Sequence, residues 1–241
     1  MKATSQTTDI PQAHSDIDIL ERLLSMRDAE YADFTAKLIP TIEPKRIIGV
    51  RAPQIAHLAR ELRGTAEAAA FTSALPHRYL EENGLHAALV NLIKDYERAE
   101  AEVERLLPYV DNWATCDSLS PSVFGKAAYA GRLHDKAIVW MASGHEYTCR
   151  FGIGILMRHF LDAAFCPGDL DRVADIDREE YYVKMMQAWF FATALAKQWD
   201  AAEPYMHPGR MGEWVRRKAI QKAIESFRVG DRQKALLRSL R

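Results

Sequence analysis

A tryptophan and an aspartate four residues apart, Trp113 and Asp117, are the residues in this chain whose types and spacing best suit chemistry. In a helix that spacing puts an indole and a carboxylate on one face. An aromatic plane beside a carboxylate suits a positive charge, which the ring quadrupole and the carboxylate both attract. The pair lies in Asp111-Asn112-Trp113-Ala114-Thr115-Cys116-Asp117, between two long helical halves of the chain. The same pattern also describes a core indole near a capped helix start, so other residues must decide.

Two positions downstream bear on that choice. Arg150, in His145-Glu146-Tyr147-Thr148-Cys149-Arg150-Phe151, falls just inside a helix whose other face is apolar. Such an arginine is commonly a solvated or paired charge. Trp189 falls in the aromatic run Tyr181-Tyr182-Val183-Lys184-Met185-Met186-Gln187-Ala188-Trp189-Phe190-Phe191, a pattern whose ordinary use is core.

Other chemistries have no signature here. The chain has no phosphate-binding loop, dinucleotide glycine fingerprint, HExxH pair or GxSxG elbow. Gly152-Ile153-Gly154 lies inside an apolar helical pattern and reads as close helix packing. The eight histidines are scattered, and His145 and His159 flank one helix without a third ligand, so neither metal nor cofactor is expected. Three cysteines, Cys116, Cys149 and Cys166, are odd in number and lack metal-type spacing, which suits a reducing, cytoplasmic setting.

The elements that must position these residues are helices. Strand signals are almost absent and helical periodicity recurs throughout. Ser15 or Asp16 could cap a first helix through Leu24, and a second starts near Asp28. Gly49-Val50-Arg51-Ala52-Pro53 opens a third, which Gly64 ends. Helices follow over 65–75, 79–93 and 99–107, then the Trp113 segment, then one that Ser120-Pro121 starts or kinks. After Gly131 come 135–141, 146–160, a short acidic helix past Pro167, 179–198, 214–226 and 231–240. About a dozen helices with short connections suggest stacked helical hairpins of degenerate HEAT type, with an irregular bundle as the alternative. Residues 1–15 are polar and expected to be disordered, and 16–241 to form one all-α domain.

With 48% hydrophobic and 27% charged residues the composition is that of an ordinary soluble protein, and no apolar run reaches the ~18 residues of a membrane span. The net charge is −1, which is not that of a uniformly basic nucleic-acid binder. The charge is unevenly spread: from Arg210 to Arg241 ten Lys and Arg stand against three Asp and Glu. That tail could serve as a binding face or simply as a solvated helix surface.

Taken together, Trp113, Asp117, Ser118 and Pro121, then Arg150, then Trp189 resemble the HEAT-like bacterial alkylpurine DNA glycosylases, the AlkD-type DNA alkylation repair proteins. The similarity runs from Gly49-Val50-Arg51-Ala52-Pro53 to Arg216-Arg217-Lys218-Ala219-Ile220. Asn112 stands where the characterised glycosylase has a second aromatic. The resemblance implies a solenoid whose concave face embraces double-stranded DNA and releases cationic N3- or N7-alkylated purines. It implies catalytic roles for Asp117, Trp113 and Trp189, and a phosphate contact for Arg150. The basic tail would add Arg216, Arg217, Lys218 and Lys222 as DNA contacts. No obligate protein partner is implied. A non-catalytic member that binds damaged or branched DNA, or a helical-repeat scaffold for a peptide, are the alternatives.

Overall fold

A computed structural model describes residues 18–241, and among them there are 14 α-helices, five short 3-10 turns and no strand. The expected disordered tail and the Ser15 or Asp16 cap lie outside the described residues. Capping side chains set many of the helix starts. Asp18 caps α1 (Ile19–Ser25), Asp28 caps α2 (Ala29–Leu38), Thr65 caps α4 (Ala66–Ser73) and Asp95 caps α6 (Tyr96–Leu106). Each accepts a hydrogen bond from a first-turn amide that has no partner within the helix. The third helix, α3 (Ala52–Leu62), has Pro53 in its first turn, and Gly64 follows it at φ +81°.

The remaining helices are α5 (Leu80–Asn91), α7 (Trp113–Ser118), α8 (Ala130–Met141), α9 (Glu146–His159), α10 (Gly168–Ala174), α11 (Tyr181–Lys197), α12 (Trp199–Ala202), α13 (Glu213–Glu225) and α14 (Asp231–Ser239). Three details differ from the sequence expectation. Ser120-Pro121 leads only to a 3-10 turn over Ser122–Gly125, α8 starts at Ala130 with Gly131 inside it, and α12 carries no period long enough to be seen.

The odd-numbered helices form a row. In order, α3 packs on α5, α5 on α7, α7 on α9, α9 on α11, and α11 on α13. Apart from α2, the even-numbered ones pack chiefly on members of that row: α4 and α6 on α5, α8 on α9, α10 and α12 on α11, α14 on α13. One large hydrophobic cluster runs from Ala87 to Leu237, and a smaller one joins α1, α3 and α5.

Two glycines and one carboxylate fix close approaches within this arrangement. Gly49 has φ +94°, and a Cβ there would lie 2.1 Å from the Asp28 carbonyl oxygen. The buried Glu81 carboxylate accepts from the amides of Ile48 (2.9 Å), Gly49 (2.7 Å) and Val50 (3.3 Å), which pins the loop before α3 onto α5. Gly152 is where α8 and α9 touch, as the sequence suggested: a Cβ would meet Met141 N at 2.4 Å and Ala137 O at 2.7 Å. Both obstacles are backbone, so the helices themselves must separate. Gly152→Ala is therefore expected to destabilise the fold by about 3 kcal/mol, the upper range of overpacking. Urea titration would show this as a lower midpoint with an unchanged slope.

Candidate active site

The site is built on α7, which at six residues is too short to be stable alone. Its neighbours hold both ends. The buried Asn112 is the N-cap: its Oδ1 accepts from Thr115 N (2.8 Å), and its Nδ2 donates to Asp111 Oδ1 and Thr115 Oγ1, each at 3.0 Å. Arg46 reaches from the loop after α2 to donate to Asp111 Oδ2 (2.9 Å) and to the Arg78 carbonyl (2.9 Å). At the far end Asn91 of α5 donates to Ser118 O (2.8 Å) and accepts from Ser120 N (2.6 Å). Trp113 and Asp117 thus sit one turn apart on a helix clamped at both ends.

Trp113 is half-buried, and its indole Nε1 donates to the Leu38 carbonyl at the end of α2 (3.1 Å). Asp117 meets Arg150 of α9 in a two-pronged pair: Nε to Oδ1 at 2.9 Å and Nη2 to Oδ2 at 2.7 Å. Arg150 is only 5% exposed, and its Nη1 donates to the Tyr182 carbonyl in the first turn of α11 (2.7 Å). Burial opposes the Arg150 charge, and the Asp117 carboxylate outweighs it, so the guanidinium pKa is raised above its usual value. Arg158 supports the same turn by donating to the carbonyls of Leu119 (3.2 Å) and Asp117 (3.3 Å). One guanidinium therefore joins α7, α9 and α11, three consecutive members of the row.

Trp189 parts from the aromatic run around it. Phe190 and Phe191 are fully buried, whereas Trp189 is 43% exposed. It follows Tyr182 by seven residues, about two turns, so both lie on the same side of α11 about 10 Å apart along the axis. On the other flank, α7 borders an apolar hollow of about 310 Å³. Small residues four apart on three row helices line it: Ala52 and Ala56, Gly84 and Ala88, Ala114 and Ser118. That face of α7 meets open space, so the helix depends all the more on its clamps.

The basic tail divides in two. Arg216 is 3% exposed and donates to both Glu213 oxygens (2.7 and 2.8 Å), Met206 O (2.8 Å) and Leu240 O (2.6 Å). It braces α13 against the end of α14, which departs from the DNA contact expected of it. Arg217 is exposed and paired with Glu213, while Lys218 and Lys222 are partly exposed on the same helix. Arg150 likewise has its guanidinium turned to Asp117 and Tyr182 and not to solvent.

Of the supporting residues, only Asn112 carried a local signal, as an Asn just before a helical pattern with Thr three residues on. Arg46, Asn91 and the Tyr182 carbonyl act across long sequence separations and leave no local trace. Among the described residues no three His, Cys, Asp or Glu gather as a metal site requires, and no helix is long and apolar enough to cross a membrane.

Among the described residues the chain is all-helical, with a carboxylate, an arginine and two indoles set along one row of packed helices. The DNA alkylation repair enzyme family matches residues 19–223, most of the chain, and the protein belongs to that family. No curated protein matches it.

Proposed function

We propose that the protein is a monofunctional DNA N-glycosylase that releases cationic N3- or N7-alkylated purines from duplex DNA. In this reading the row from α3 to α13 is a HEAT-like solenoid with its free face on the DNA. The observation that carries the reading is the Asp117 carboxylate, held in orientation by buried Arg150 beside Trp113.

An N-alkylated purine already bears positive charge and leaves without a general acid. Charge then develops on the deoxyribose, which becomes oxocarbenium-like and needs a negative group and π-faces beside it. A carboxylate about 4 Å from that sugar, with its guanidinium partner about 4 Å behind, leaves about 2 kcal/mol at an effective dielectric near 20. Two indole faces add about 1 kcal/mol each, so the total is about three decades of rate. For a bond already labilised by alkylation that is a useful acceleration. Each Asp117 oxygen retains a lone pair after pairing with Arg150, so the carboxylate can also orient the attacking water. Arg150 acts as a positioning residue, and its guanidinium is no nucleophile, so the expected product is an intact abasic site.

The test is release of 7-methylguanine or 3-methyladenine from methylated duplex DNA, measured chromatographically. Wild-type protein that binds this DNA and releases no base overturns the enzyme reading and leaves a damage-binding protein.

Affinity should come from the exposed cations of α13. Replacing Arg217, Lys218 and Lys222 together with glutamine is expected to weaken binding to many sequences alike. The slope of log affinity against log salt should fall by about 2 to 3, near 0.9 per lost phosphate contact. Arg216→Gln, by contrast, should act on stability. An unchanged slope in the triple variant would show these residues to be only a solvated surface.

A further inference from the structure

With Arg150 committed to Asp117 and the Tyr182 carbonyl, a DNA strand beside Asp117 needs its phosphates held by other cations. Two more arginines of that neighbourhood are also spent, Arg46 on Asp111 and Arg158 on the carbonyls of Leu119 and Asp117. Free cations lie where α3, α5 and α7 finish. A cavity of about 330 Å³ opens there between the α3–α4 and α5–α6 connections, and Arg63, Lys94 and Arg98 border it. All three are exposed, and among the described residues none is in an ion pair. Lys94 Nζ donates instead to the Ser122 hydroxyl in the turn after α7 (2.9 Å). Three residues before Lys94, Asn91 holds the carbonyl of Ser118, the chain neighbour of Asp117. The three cations therefore form a strip from the end of α3 to the end of α7 that carries Asp117.

Two carboxylates border the same cavity, and neither takes up the strip. Asp95 Oδ1 caps α6 by accepting from Arg98 N (2.8 Å), and Glu102 Oε2 is paired with Arg105 Nε (3.1 Å). Glu97, next to Arg98 in the chain, is paired with Arg132 (2.7 Å). Arg63 and Lys94 follow the carboxyl ends of α3 and α5, where a cation complements the helix dipole in any case. That does not apply to Arg98, which stands in the first turn of α6, where a cation opposes the dipole. Its position costs the helix stability, and no carboxylate of the chain compensates it. Cations that converge on a concave surface without partners raise the local concentration of anions.

We infer that Arg63, Lys94 and Arg98 are a second phosphate-binding strip, which holds the backbone of duplex DNA on the α3 side of Asp117. A strip spread over two connections suits successive phosphates of a strand better than one small anion. The exposed cations of α13 stand at the opposite end of the row, so the duplex is gripped on both sides of the Asp117–Arg150 pair. The inference rests on the DNA-binding part of the proposed function and not on base release.

The experiment uses the full chain and an unmethylated duplex long enough to span the row, with affinity measured by fluorescence anisotropy over a range of salt. Replacing Arg63, Lys94 and Arg98 together with glutamine should weaken binding at least tenfold at low salt. The slope of log affinity against log salt should fall by about 2 to 3, near 0.9 per lost phosphate contact. The charge-preserving triple Arg63→Lys, Lys94→Arg and Arg98→Lys should keep the wild-type slope. Lys136→Gln with Lys197→Gln, which removes cations already paired with Glu104 and Asp162, should also leave it unchanged. Combined with the α13 triple variant, the glutamine triple should show the sum of the two slope changes. Base release from methylated duplex at saturating protein should be unaltered, because the strip binds and does not touch the sugar. A wild-type slope in the glutamine triple overturns the inference. So does displacement of the duplex by polyglutamate of equal charge at no higher concentration, which would assign the strip to an acidic polypeptide. A wild type that releases no base but shows these slope differences refutes the glycosylase reading alone.

Discussion

Asp117→Asn is expected to lower base release from methylated duplex DNA by about two decades at saturating protein. The substitution keeps the shape but removes the negative charge beside the developing sugar cation, worth about 2 kcal/mol after the partial offset by Arg150. Loss of one ordered acceptor for the attacking water adds to this. DNA affinity should stay within a few-fold of wild type, since a carboxylate repels phosphate. Trp189→Ala should cost about five- to tenfold, in line with about 1 kcal/mol for one exposed π-face. The measurement is single-turnover release with protein in excess, so binding and chemistry separate. An Asp117→Asn protein that releases base at the wild-type rate would remove the carboxylate from the mechanism. Because the change also breaks a charge pair with a buried arginine, its thermal midpoint should be recorded alongside, and a folded variant at assay temperature is required.

A second large effect is expected in stability against pH. His77 Nε2 and His86 Nδ1 lie 2.9 Å apart, with Phe71 stacked on His77 at 4.4 Å between ring centroids. Both rings are buried. Desolvation brings His77 from 6.5 to about 4. Desolvation, then His77 itself and Arg105, bring His86 from 6.5 to about 3. A folded-state pKa below the unfolded value means that the unfolded chain binds protons first. Stability is therefore complete above pH 6.5 and declines as pH falls from 6.5 towards 4. At pH 5 each histidine should have cost about 2 kcal/mol, so the pair removes about 4 kcal/mol relative to pH 8. Urea midpoints measured from pH 8 to pH 5 would show it. Replacing the pair by apolar residues of similar volume, His77→Phe with His86→Leu, should flatten much of that dependence. His145 and His159 are also lowered by burial and should leave a smaller slope of the same sign. A midpoint that stays level to pH 5 in wild type would show that the pair is not held neutral.

What the sequence by itself determined is what local geometry dictates. The starts of α2 and α4, at Asp28 and Thr65, follow from capping side chains followed by helical periods, because first-turn amides need an acceptor nearby. Gly152 inside an apolar helix announced a close crossing, since only a missing Cβ lets two backbones approach so nearly. The shared face of Trp113 and Asp117 was legible because i and i+4 fall together on any helix.

Only the tertiary structure decided which charges are free and which are spent. Arg216 and Arg217 are neighbours in one net-basic tail, yet a rotation of about 100° buries one against Leu240 and leaves the other outside. Arg150 reads in the sequence as either a solvated or a paired charge, and it is α7 and α11 that bring it Asp117 and the Tyr182 carbonyl, from 33 and 32 residues away. Trp189 shares its aromatic run with Phe190 and Phe191, and only the packing of α11 between α9 and α13 determines which rings turn inward. Local spacing fixes the face on which a residue sits, whereas its burial and partners depend on contacts between distant segments, which no short stretch encodes.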